Sequence, residues 1–341
     1  MSPRRVGEIG ELELVERIQS ALQTPVPGLE VGPGDDAAVI DVSSSRLVLT
    51  IDRQTEGTHF QRSWLSPRAL GRRALAVCVS DLGAMGATPT WALCALELPS
   101  ELGVDWLDDL VLGLRDGGRE FGCPTIGGDV TLSARRVGLC LCSGGTLAAG
   151  VPPTLRHRAN VGDACWVIGQ LGMAAAGRLL LDAGLIEPAD PRARRGIEAY
   201  RMPTPPLAFA SHIAEHRLVG AMMDVSDGLG LDLRRLCGAS GVGVALDGDA
   251  LLDADVTALA GEVGISALDL VVGGGDDYAL LCSVDANNQE GLAAAAARFD
   301  LNARRIGVFV AAGDGLTVRI SDADEPLMPA GWDPFRSGKS T

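Results

Sequence analysis

The sequence predicts an α/β protein with two domains. Strand-like and helix-like segments alternate along most of the chain, which is the pattern of α/β folds. A length of 341 residues and a hydrophobic content of 47% are sufficient for two buried cores of ordinary size. The alternation is interrupted once, between residues 148 and 163, by prolines, basic residues and a glycine turn. We therefore place the boundary near residues 150–160 and assign residues 1–152 and 153–341 to the two domains.

The first domain begins with a predicted helix at residues 12–22, where the apolar residues have helical spacing. Residues 66–87 predict a longer helix, because Ser66 is a favourable N-cap residue and Pro67 fits the first helical position. The other predicted elements of this domain are strands at 37–41, 46–52, 91–99 and 135–148 and a helix at 105–122. Strands and helices thus alternate up to the break.

The alternation resumes after the break. The predicted elements are strands at 164–169, 242–247, 278–284 and 304–310, a helix at 173–184 and an alanine-rich helix near 293–297. The second domain is therefore expected to belong to the same structural class as the first.

Charge and hydropathy argue against two classes of partner. The formal net charge is −15, whereas a nucleic-acid-binding surface needs clustered positive charge. No uninterrupted apolar run reaches about 18 residues, and the opening MSPRRVGEIGELELVERI has no apolar core of a signal peptide. We therefore expect a cytoplasmic protein that binds neither nucleic acid nor membrane. A polyphosphate could still bind through divalent cations.

The cysteines and histidines favour structural roles. Most cysteines lie in apolar stretches, and no pair has the C-x-x-C spacing of zinc and redox sites, so we expect reduced core residues. Those in apolar stretches are Cys78, Cys94, Cys140, Cys142, Cys165 and Cys282. His212 and His216 are spaced for one helix face and could bind a metal, but no third ligand accompanies them. An ordinary surface helix is the favoured interpretation.

Carboxylates recur beside glycines, turn residues and apolar residues. The positions are Asp35 and Asp36 in GPGDDAAVID, Asp52, Asp81, Asp129, Asp224, Asp227, Asp276 and Asp277. Any one of them could cap a helix or accept hydrogen bonds in a turn. Together, poorly solvated carboxylates would repel one another, and Lys and Arg are nearly absent from these segments. Hard cations such as Mg²⁺ are therefore the expected counter-charge.

The glycines beside these acids indicate what the metal ions would share. Mg²⁺ usually keeps water ligands and binds together with a phosphate-bearing substrate. Glycines such as Gly127, Gly128 and residues 273–275 let backbone N–H groups approach phosphate oxygens. The terminal SGKST is not a Walker A loop, because Asp333 stands where the first glycine is required, and a GxGxxG fingerprint is also missing. The sequence predicts a nucleotide held through metal ions.

Seven motifs, in order and spread from about residue 32 to 335, resemble those of thiamine-monophosphate kinase. They are GPGDDAAV, TEGTHF, SDLGAMGA, GGDVT, DVSDGL, GGGDDY and GWDPF. That family belongs to a superfamily of ATP-dependent synthetases that includes aminoimidazole ribonucleotide synthetase. The resemblance implies that thiamine monophosphate is phosphorylated to thiamine diphosphate by ATP with several Mg²⁺ ions. It also implies a homodimer in which a mixed N-terminal sheet pairs with the second subunit and a C-terminal α/β domain packs against it.

The resemblance also implies roles for individual residues. The implied metal ligands are Asp36, Thr50, Asp52, Asp81, Asp129, Asp224 and Asp227, the ATP contacts are Gly128, Asp129, Arg156 and Ser226, and the thiamine monophosphate contacts are His59, Asp276 and Trp332. We expect Asp35 to orient the turn beside Asp36. The chain departs from the family pattern at Asp276, where glutamate is usual, at Ile51, where a hydroxyl residue is frequent, and in RMPTPP, where the arginine and proline pattern is partly kept.

The residue chemistry agrees with phosphoryl transfer between two anions. A phosphate monoester has a second pKa of about 6 and is mainly a dianion at neutral pH, so it needs no general base. Bridging cations and in-line positioning then supply the catalysis, without a phosphoenzyme. Trp332 and Asp276 suit the positive thiazolium ring of thiamine. Packing for Trp332, a turn for His59 and a solvated linker for Arg156 are the structural alternatives.

Three other functions are compatible with parts of the sequence. A selenophosphate synthetase needs a reactive cysteine in a glycine-rich N-terminal segment, whereas the first cysteine here is Cys78, inside a predicted helix. Aminoimidazole ribonucleotide synthetase shares the metal and ATP chemistry but gives no reason for TEGTHF together with GWDPF. A non-catalytic sensor of Mg–ATP is opposed by the presence of every expected metal position. The kinase is the favoured hypothesis.

Overall fold

The computed structural model describes residues 29–31, 38–42, 45–320, 323–328 and 330–333. The predicted helix at 12–22 and the pair Asp35 and Asp36 lie outside the described residues. Two mixed sheets with helices packed against them confirm the α/β class. The boundary between 1–152 and 153–341 stays a prediction.

The first sheet contains the strands of the N-terminal half. They are β1 (Leu29–Val31), β2 (Ala38–Val42), β3 (Ser45–Thr55), β4 (Thr88–Pro99), β5 (Thr125–Ser133) and β6 (Gly138–Thr146). Within the described ranges their order is β1-β2-β3-β6-β4-β5, and only β4 and β5 run parallel. β5 was not predicted, because Gly127 and Gly128 have no side chains to show the alternation of a strand.

The second sheet contains the later strands. They are β7 (Ala164–Ile168), β8 (Met222–Val225), β9 (Val242–Asp247), β10 (Ala279–Val284), β11 (Ala303–Ala311), β12 (Leu316–Ile320) and β13 (Ala323–Pro326). In the part of the chain that the structure describes, their order is β13-β12-β9-β11-β7-β10-β8, and β9 and β12 are the one parallel pair. The strands predicted at 164–169, 242–247, 278–284 and 304–310 correspond to β7, β9, β10 and β11.

The helices pack against both sheets. They are α1 (Pro67–Ala84), α2 (Val104–Glu120), α3 (Met173–Asp182), α4 (Pro191–Arg201), α5 (Leu207–Glu215), α6 (Leu229–Ser240), α7 (Gly248–Leu251), α8 (Ala254–Val263), α9 (Ala267–Gly273) and α10 (Gln289–Arg298). Among the described residues no single helix is long and apolar enough to cross a bilayer; only α8 and α9 taken together reach that length, and they are bent by 100°.

Helix α1 joins the two halves of the molecule. It starts as the sequence predicts, since the Ser66 hydroxyl accepts a 3.2 Å hydrogen bond from the N–H of Ala69 and Pro67 is the first helical residue. Its apolar residues, such as Leu75 and Leu82, are fully buried. One side of α1 packs on β3 and β6 of the first sheet, and another contacts β8 and α5. Side chains on α1 can therefore reach functional groups in both halves.

The structure buries six of the eight cysteines and places His212 and His216 at the end of one helix. All eight cysteines lie within the described ranges and are free; Cys140 and Cys142 are partly exposed and the other six are buried. His212 and His216 lie at the end of α5 with ring centroids 4.1 Å apart, and one nitrogen of His216 contacts the carbonyl of His212. In the described part of the chain they belong to no group of three metal-binding side chains.

Candidate active site

The C-terminal half of α1 brings three predicted metal ligands together. Oδ2 of Asp81 accepts a 2.6 Å hydrogen bond from the hydroxyl of Thr50 on β3. The neighbouring Ser80 hydroxyl donates a 2.7 Å hydrogen bond to Oδ2 of Asp224 on β8. Burial raises the pKa of Asp224, and the negative charge of Asp227 acts in the same direction. Ligands from β3, α1 and β8 therefore meet at the C-terminal half of α1, the helix that contacts strands of both sheets.

Asp52 joins this cluster from within β3. Its Oδ1 accepts a 2.5 Å hydrogen bond from the backbone N–H of Arg53. Burial is the main cause that raises the pKa of Asp52 to about 7; the charges of Asp224 and Asp276 also raise it, while that hydrogen bond and Arg73 lower it. Such effects require close charges, so Asp52 faces carboxylates of the second half. A cation close to Asp52 would lower this pKa, because an opposite charge favours the ionised carboxylate.

The loop between β8 and α6 is held by Asp232, which was not predicted from the sequence. One oxygen of Asp232 accepts 3.1 Å hydrogen bonds from the backbone N–H groups of both Ser226 and Asp227. Arg235 donates to Asp232 at 2.7 Å and to Asp227 at 2.6 Å. Burial first, and then the charges of Asp224 and Asp227, raise the pKa of Asp232 to about 7. This fully buried carboxylate therefore fixes the backbone that presents Ser226 and Asp227.

The same loop forms main-chain hydrogen bonds with the GGGDDY and GWDPF motifs. It turns through Gly228, whose φ of 116° is accessible mainly to glycine. The carbonyl of Ser226 accepts a 2.8 Å hydrogen bond from the N–H of Asp276, and the carbonyl of Asp227 accepts a 2.7 Å hydrogen bond from the N–H of Trp332. Predicted contacts for metal, ATP and thiamine monophosphate are thus joined by main-chain hydrogen bonds.

Asp276 and His59 both lie close to a buried arginine, Arg73 of α1. Arg73 forms a 2.5 Å ion pair with Oδ1 of Asp276, and the Tyr278 hydroxyl donates to the same oxygen at 2.9 Å. The Tyr200 hydroxyl donates a 2.8 Å hydrogen bond to the carbonyl of His59. Burial lowers the pKa of His59, although the negative charge of Asp276 acts in the opposite direction. Two of the three residues predicted to contact thiamine monophosphate therefore share one environment.

Arg156 lies beside the acidic cluster, which consists of Asp52, Asp81, Asp224 and Asp227. Its positive charge lowers the pKa of the buried Asp224, against the larger effect of burial. Its carbonyl accepts a 2.7 Å hydrogen bond from the hydroxyl of Ser240, which ties this part of the chain to the end of α6. A linker charge surrounded by water would have little effect on a buried carboxylate. The position is consistent with a cation that contacts phosphate next to the predicted metal ligands.

Asp129 lies apart from the other predicted metal ligands within one chain. The register of the first sheet aligns Asp52 with Leu141, Cys94 and Gly128, so Asp129 lies on the opposite face of the sheet. Three strand spacings separate the two backbones, a distance of about 14 Å. Because two ligands of one Mg²⁺ ion lie within about 4 Å of each other, Asp52 and Asp129 of the same chain cannot hold the same ion.

The surroundings of Asp129 also differ from those of the acidic cluster. Gly128 and Asp129 line a cavity of about 810 Å³ between β5 and α2, together with Arg115 and Arg119. A Cβ at Gly128 would lie 1.8 Å from the carbonyl oxygen of Cys94, so close strand packing by itself requires glycine there. The predicted contacts of ATP are therefore divided, with Gly128 and Asp129 at the sheet edge and Arg156 and Ser226 in the acidic cluster.

Oxygen donors in the acidic cluster fit a hard cation. Within the described ranges, no group of three or more His, Cys, Asp or Glu side chains could hold a metal ion by itself. Mg²⁺ does not need such a group, because it usually binds one or two carboxylates, water and substrate phosphates. Burial and, secondarily, neighbouring carboxylates raise the pKa values of Asp52 and Asp224, and a divalent cation beside these oxygens would favour their ionised forms. The residues that could provide oxygen ligands are Thr50, Asp52, Asp81, Asp224 and Asp227.

Comparison with known proteins identifies the relatives of this chain. Residues 34–148 match the family described as AIR synthase related protein, N-terminal domain, and residues 160–319 match the corresponding C-terminal domain. Thiamine-monophosphate kinase of Mycobacterium tuberculosis is 35% identical over 278 residues, which cover 80% of each chain. The enzyme of Aquifex aeolicus is 32% identical over 280 residues, which cover 81% of this chain and 86% of the relative.

Solved structures agree with the sequence comparison. The structure named "AaThiL complexed with AMPPCP and TMP" has a TM-score of 0.81 and 29% identity and covers 97% of this chain and 99% of its own. A hydrogenase maturation protein, HypE, in its complex with HypF, has a TM-score of 0.72 at 19% identity, which shows a shared fold alone. The chain belongs to the AIR synthase related family and, within it, to the thiamine-monophosphate kinases.

Proposed function

We propose that this protein transfers the γ-phosphoryl group of ATP to thiamine monophosphate and forms thiamine diphosphate and ADP. The observation that carries the proposal is the convergence of Asp52, Asp81, Asp224 and Asp227 between the two sheets, next to Asp276 and His59. Two anionic substrates can approach each other only where cations offset their charge. The structurally similar AaThiL complex contains AMPPCP and TMP, which supports this pair of substrates.

Mg²⁺ would be held by Thr50, Asp52, Asp81, Asp224 and Asp227. Bound there, it would neutralise phosphate charge. The charges of the chain fit this arrangement, because the described cations beside these acids are few and Arg235 already pairs with Asp227. Asp36 belongs to the same predicted ligand set and lies outside the described residues. Arg156 and the loop at Ser226 would contact the phosphates of ATP from the second half of the chain.

The reaction needs no nucleophile from the protein. A phosphate oxygen of thiamine monophosphate forms the new bond to the γ-phosphorus of ATP, and the bond between that phosphorus and the leaving oxygen of ADP breaks. The attacking phosphate is already a dianion at neutral pH. Cys78, a buried thiol near Asp52 and Asp81, has a pKa raised well above its usual value, mainly by burial, and is unsuited to act as a thiolate. This supports direct in-line transfer.

The edge of the first sheet suits a second copy of the chain. In the described part of the sheet, β5 has a neighbour on one side only. Its apolar residues Ile126, Val130 and Leu132 are 66%, 67% and 75% exposed. An open edge with exposed apolar residues favours pairing with another strand. A homodimer joined through this edge is therefore part of the proposal, with Asp129 serving the active site of the partner subunit.

The proposed activity is tested by incubating the purified protein with thiamine monophosphate, ATP and Mg²⁺. We expect thiamine diphosphate and ADP to form in a ratio of one to one. Unphosphorylated thiamine is the matched control and should give no product, because it has no phosphate dianion to attack. Tight ATP binding without turnover would instead support a nucleotide sensor and overturn the proposal.

A further inference from the structure

Arg73 is a buried cation at the centre of the substrate side of the site. Its side chain is 1% exposed, whereas the side chain of Asp276, its ion-pair partner, is 25% exposed. The Arg73 guanidinium also donates to the carbonyl of Tyr200 and stacks on the Tyr200 ring, with Cζ 4.3 Å from the ring centroid. Its Nε has no hydrogen-bond partner in the described structure. Burying a cation in this way is costly, so stability alone gives a poor reason for it.

The contacts of Arg73 connect two of the three predicted contacts of thiamine monophosphate, Asp276 and His59. On one side Arg73 binds Asp276, and on the other it supports Tyr200, whose hydroxyl donates to the carbonyl of His59. Arg73 and Tyr278 both bind Oδ1 of Asp276. Oδ2 of Asp276 accepts no hydrogen bond within the described ranges, and the side chain keeps access to solvent. One oxygen is therefore held while the other is available.

The backbone of Asp276 makes this support necessary. Asp276 has a φ of 67° and Tyr278 a φ of 49°, both in the left-handed region that non-glycine residues rarely adopt. A strained segment keeps its conformation only when surrounding contacts fix it. The main-chain hydrogen bonds of Asp276 and Tyr278 to Ser226 and Val225 fix the backbone, and Arg73 fixes the carboxylate.

We propose that Arg73 is a positioning residue for thiamine monophosphate: it orients Asp276 by Oδ1 and His59 through Tyr200, and so leaves Oδ2 of Asp276 to face the cationic thiazolium ring. The inference rests on the proposed function. It assigns Arg73 to the recognition of thiamine monophosphate and not to ATP, because Arg73 binds Asp276 directly and is connected to His59 through Tyr200.

The adjacent Arg72 provides a matched control on the same helix. Arg72 is also buried, and it donates to Glu120, to the carbonyl of Pro203 at 2.8 Å and to the hydroxyl of Thr204 at 3.1 Å. It therefore joins the same two halves of the chain without contact to Asp276 or His59. A role that is only structural predicts similar effects of substitutions at both arginines.

The test compares Arg73→Met and Arg73→Lys with Arg72→Met and Arg72→Lys in steady-state kinetics. We expect Arg73→Met to raise KM for thiamine monophosphate by about tenfold or more, as expected for the loss of a charge-assisted hydrogen bond, with KM for ATP nearly unchanged. Arg73→Lys should recover part of this loss, because lysine can pair with Asp276 but cannot also bind the Tyr200 carbonyl in the same geometry. The Arg72 variants should lower Tm without a selective change in either KM.

Tyr278→Phe keeps the proposal testable if Arg73→Met does not fold. It removes the second donor to Oδ1 of Asp276, and we expect a selective rise of KM for thiamine monophosphate of a few fold. Equal changes in both KM values, or wild-type KM values for thiamine monophosphate in folded Arg73→Lys and Tyr278→Phe, would overturn the inference. Wild-type turnover tests the proposed function separately. If the wild type shows no turnover, calorimetric titration with thiamine monophosphate gives its Kd for the wild type and the variants. The ratio of these Kd values then tests the role of Arg73.

Discussion

The acidic cluster between the sheets and the β5 edge carry similar motifs in very different surroundings. In the cluster, Asp224 is buried and bonded to Ser80, and elements of both halves contribute ligands. At the edge, Asp129 is exposed on a strand with no neighbour on one side among the described residues. The cluster is assembled by folding of one chain, whereas the edge offers an incomplete surface. Aspartates in similar motifs can therefore have very different surroundings, which the motif alone does not show.

The largest expected effect is the loss of turnover in Asp52→Asn. The substitution keeps the shape of the side chain but removes a charge at the centre of the acidic cluster, so we expect kcat to fall on the order of 100-fold or more with little loss of Tm. Asp41→Asn, an exposed position on β2, is a control of the same chemistry. Wild-type turnover of Asp52→Asn would remove this residue from the metal ligands.

Asp129→Asn tests whether the edge completes a site in a second subunit. We expect each single variant, Asp52→Asn and Asp129→Asn, to lose kcat by orders of magnitude. A heterodimer of the two variants can be isolated with two affinity tags. If Asp129 serves the site of the partner subunit, one of the two sites in this heterodimer contains both wild-type residues. The heterodimer should then recover about half of the wild-type turnover. A heterodimer as inactive as its parents would place both residues in the site of one chain, against the proposed arrangement.

Arg156→Glu separates the ATP side from the thiamine monophosphate side of the cluster. Reversing a charge next to the phosphates should raise KM for ATP by about tenfold or more and leave KM for thiamine monophosphate less affected. The control is Arg158→Glu, which makes the same change of charge at an exposed position two residues away. An unaltered KM for ATP in Arg156→Glu would return this residue to the role of a solvated linker charge.

A smaller effect is expected in the pH dependence of stability without metal. The pKa values of Asp52 and Asp232 are raised from 3.8 to about 7 in the folded chain. The native state therefore binds more protons than the unfolded state between these values, and the free energy of unfolding should fall as pH rises from about 4 to about 7. Saturating Mg²⁺ should reduce this fall, because it stabilises ionised ligands. Tm measured from pH 5 to 8 with Mg²⁺ or EDTA tests this, and a rise of Tm over that range in EDTA would contradict it.

Much of the architecture could be predicted from the sequence because hydrophobic patterns and capping residues act locally. Helix α1 begins as Ser66 and Pro67 predict, and the strands predicted in the second half correspond to β7, β9, β10 and β11. The face on which Asp129 lies could not be read from GGDVT, since glycines carry no pattern. The location of an unpredicted strand at the sheet edge decides it.

The motifs predict which residue types form the site, but they do not predict the partners of each side chain. Asp276 and Asp277 are identical neighbours in sequence, yet Asp276 pairs with Arg73 while Asp277 accepts 3.0 Å hydrogen bonds from the N–H of Gly172 at the start of α3. The supporting roles of Arg73 and Asp232 depend on burial and on partners far away in sequence. No local signal distinguishes them from ordinary helix residues. Ile51, a departure from the family pattern, lies 68% exposed on the sheet face opposite Asp52.

The most direct measurement is anomalous diffraction from crystals grown with Mn²⁺, a non-hydrolysable ATP analogue and thiamine monophosphate. We expect metal ions between the phosphates of the two ligands, coordinated by carboxylates of the acidic cluster, including Asp52 and Asp224. Metal peaks confined to other surfaces, with the analogue bound and these carboxylates free of metal, would contradict it.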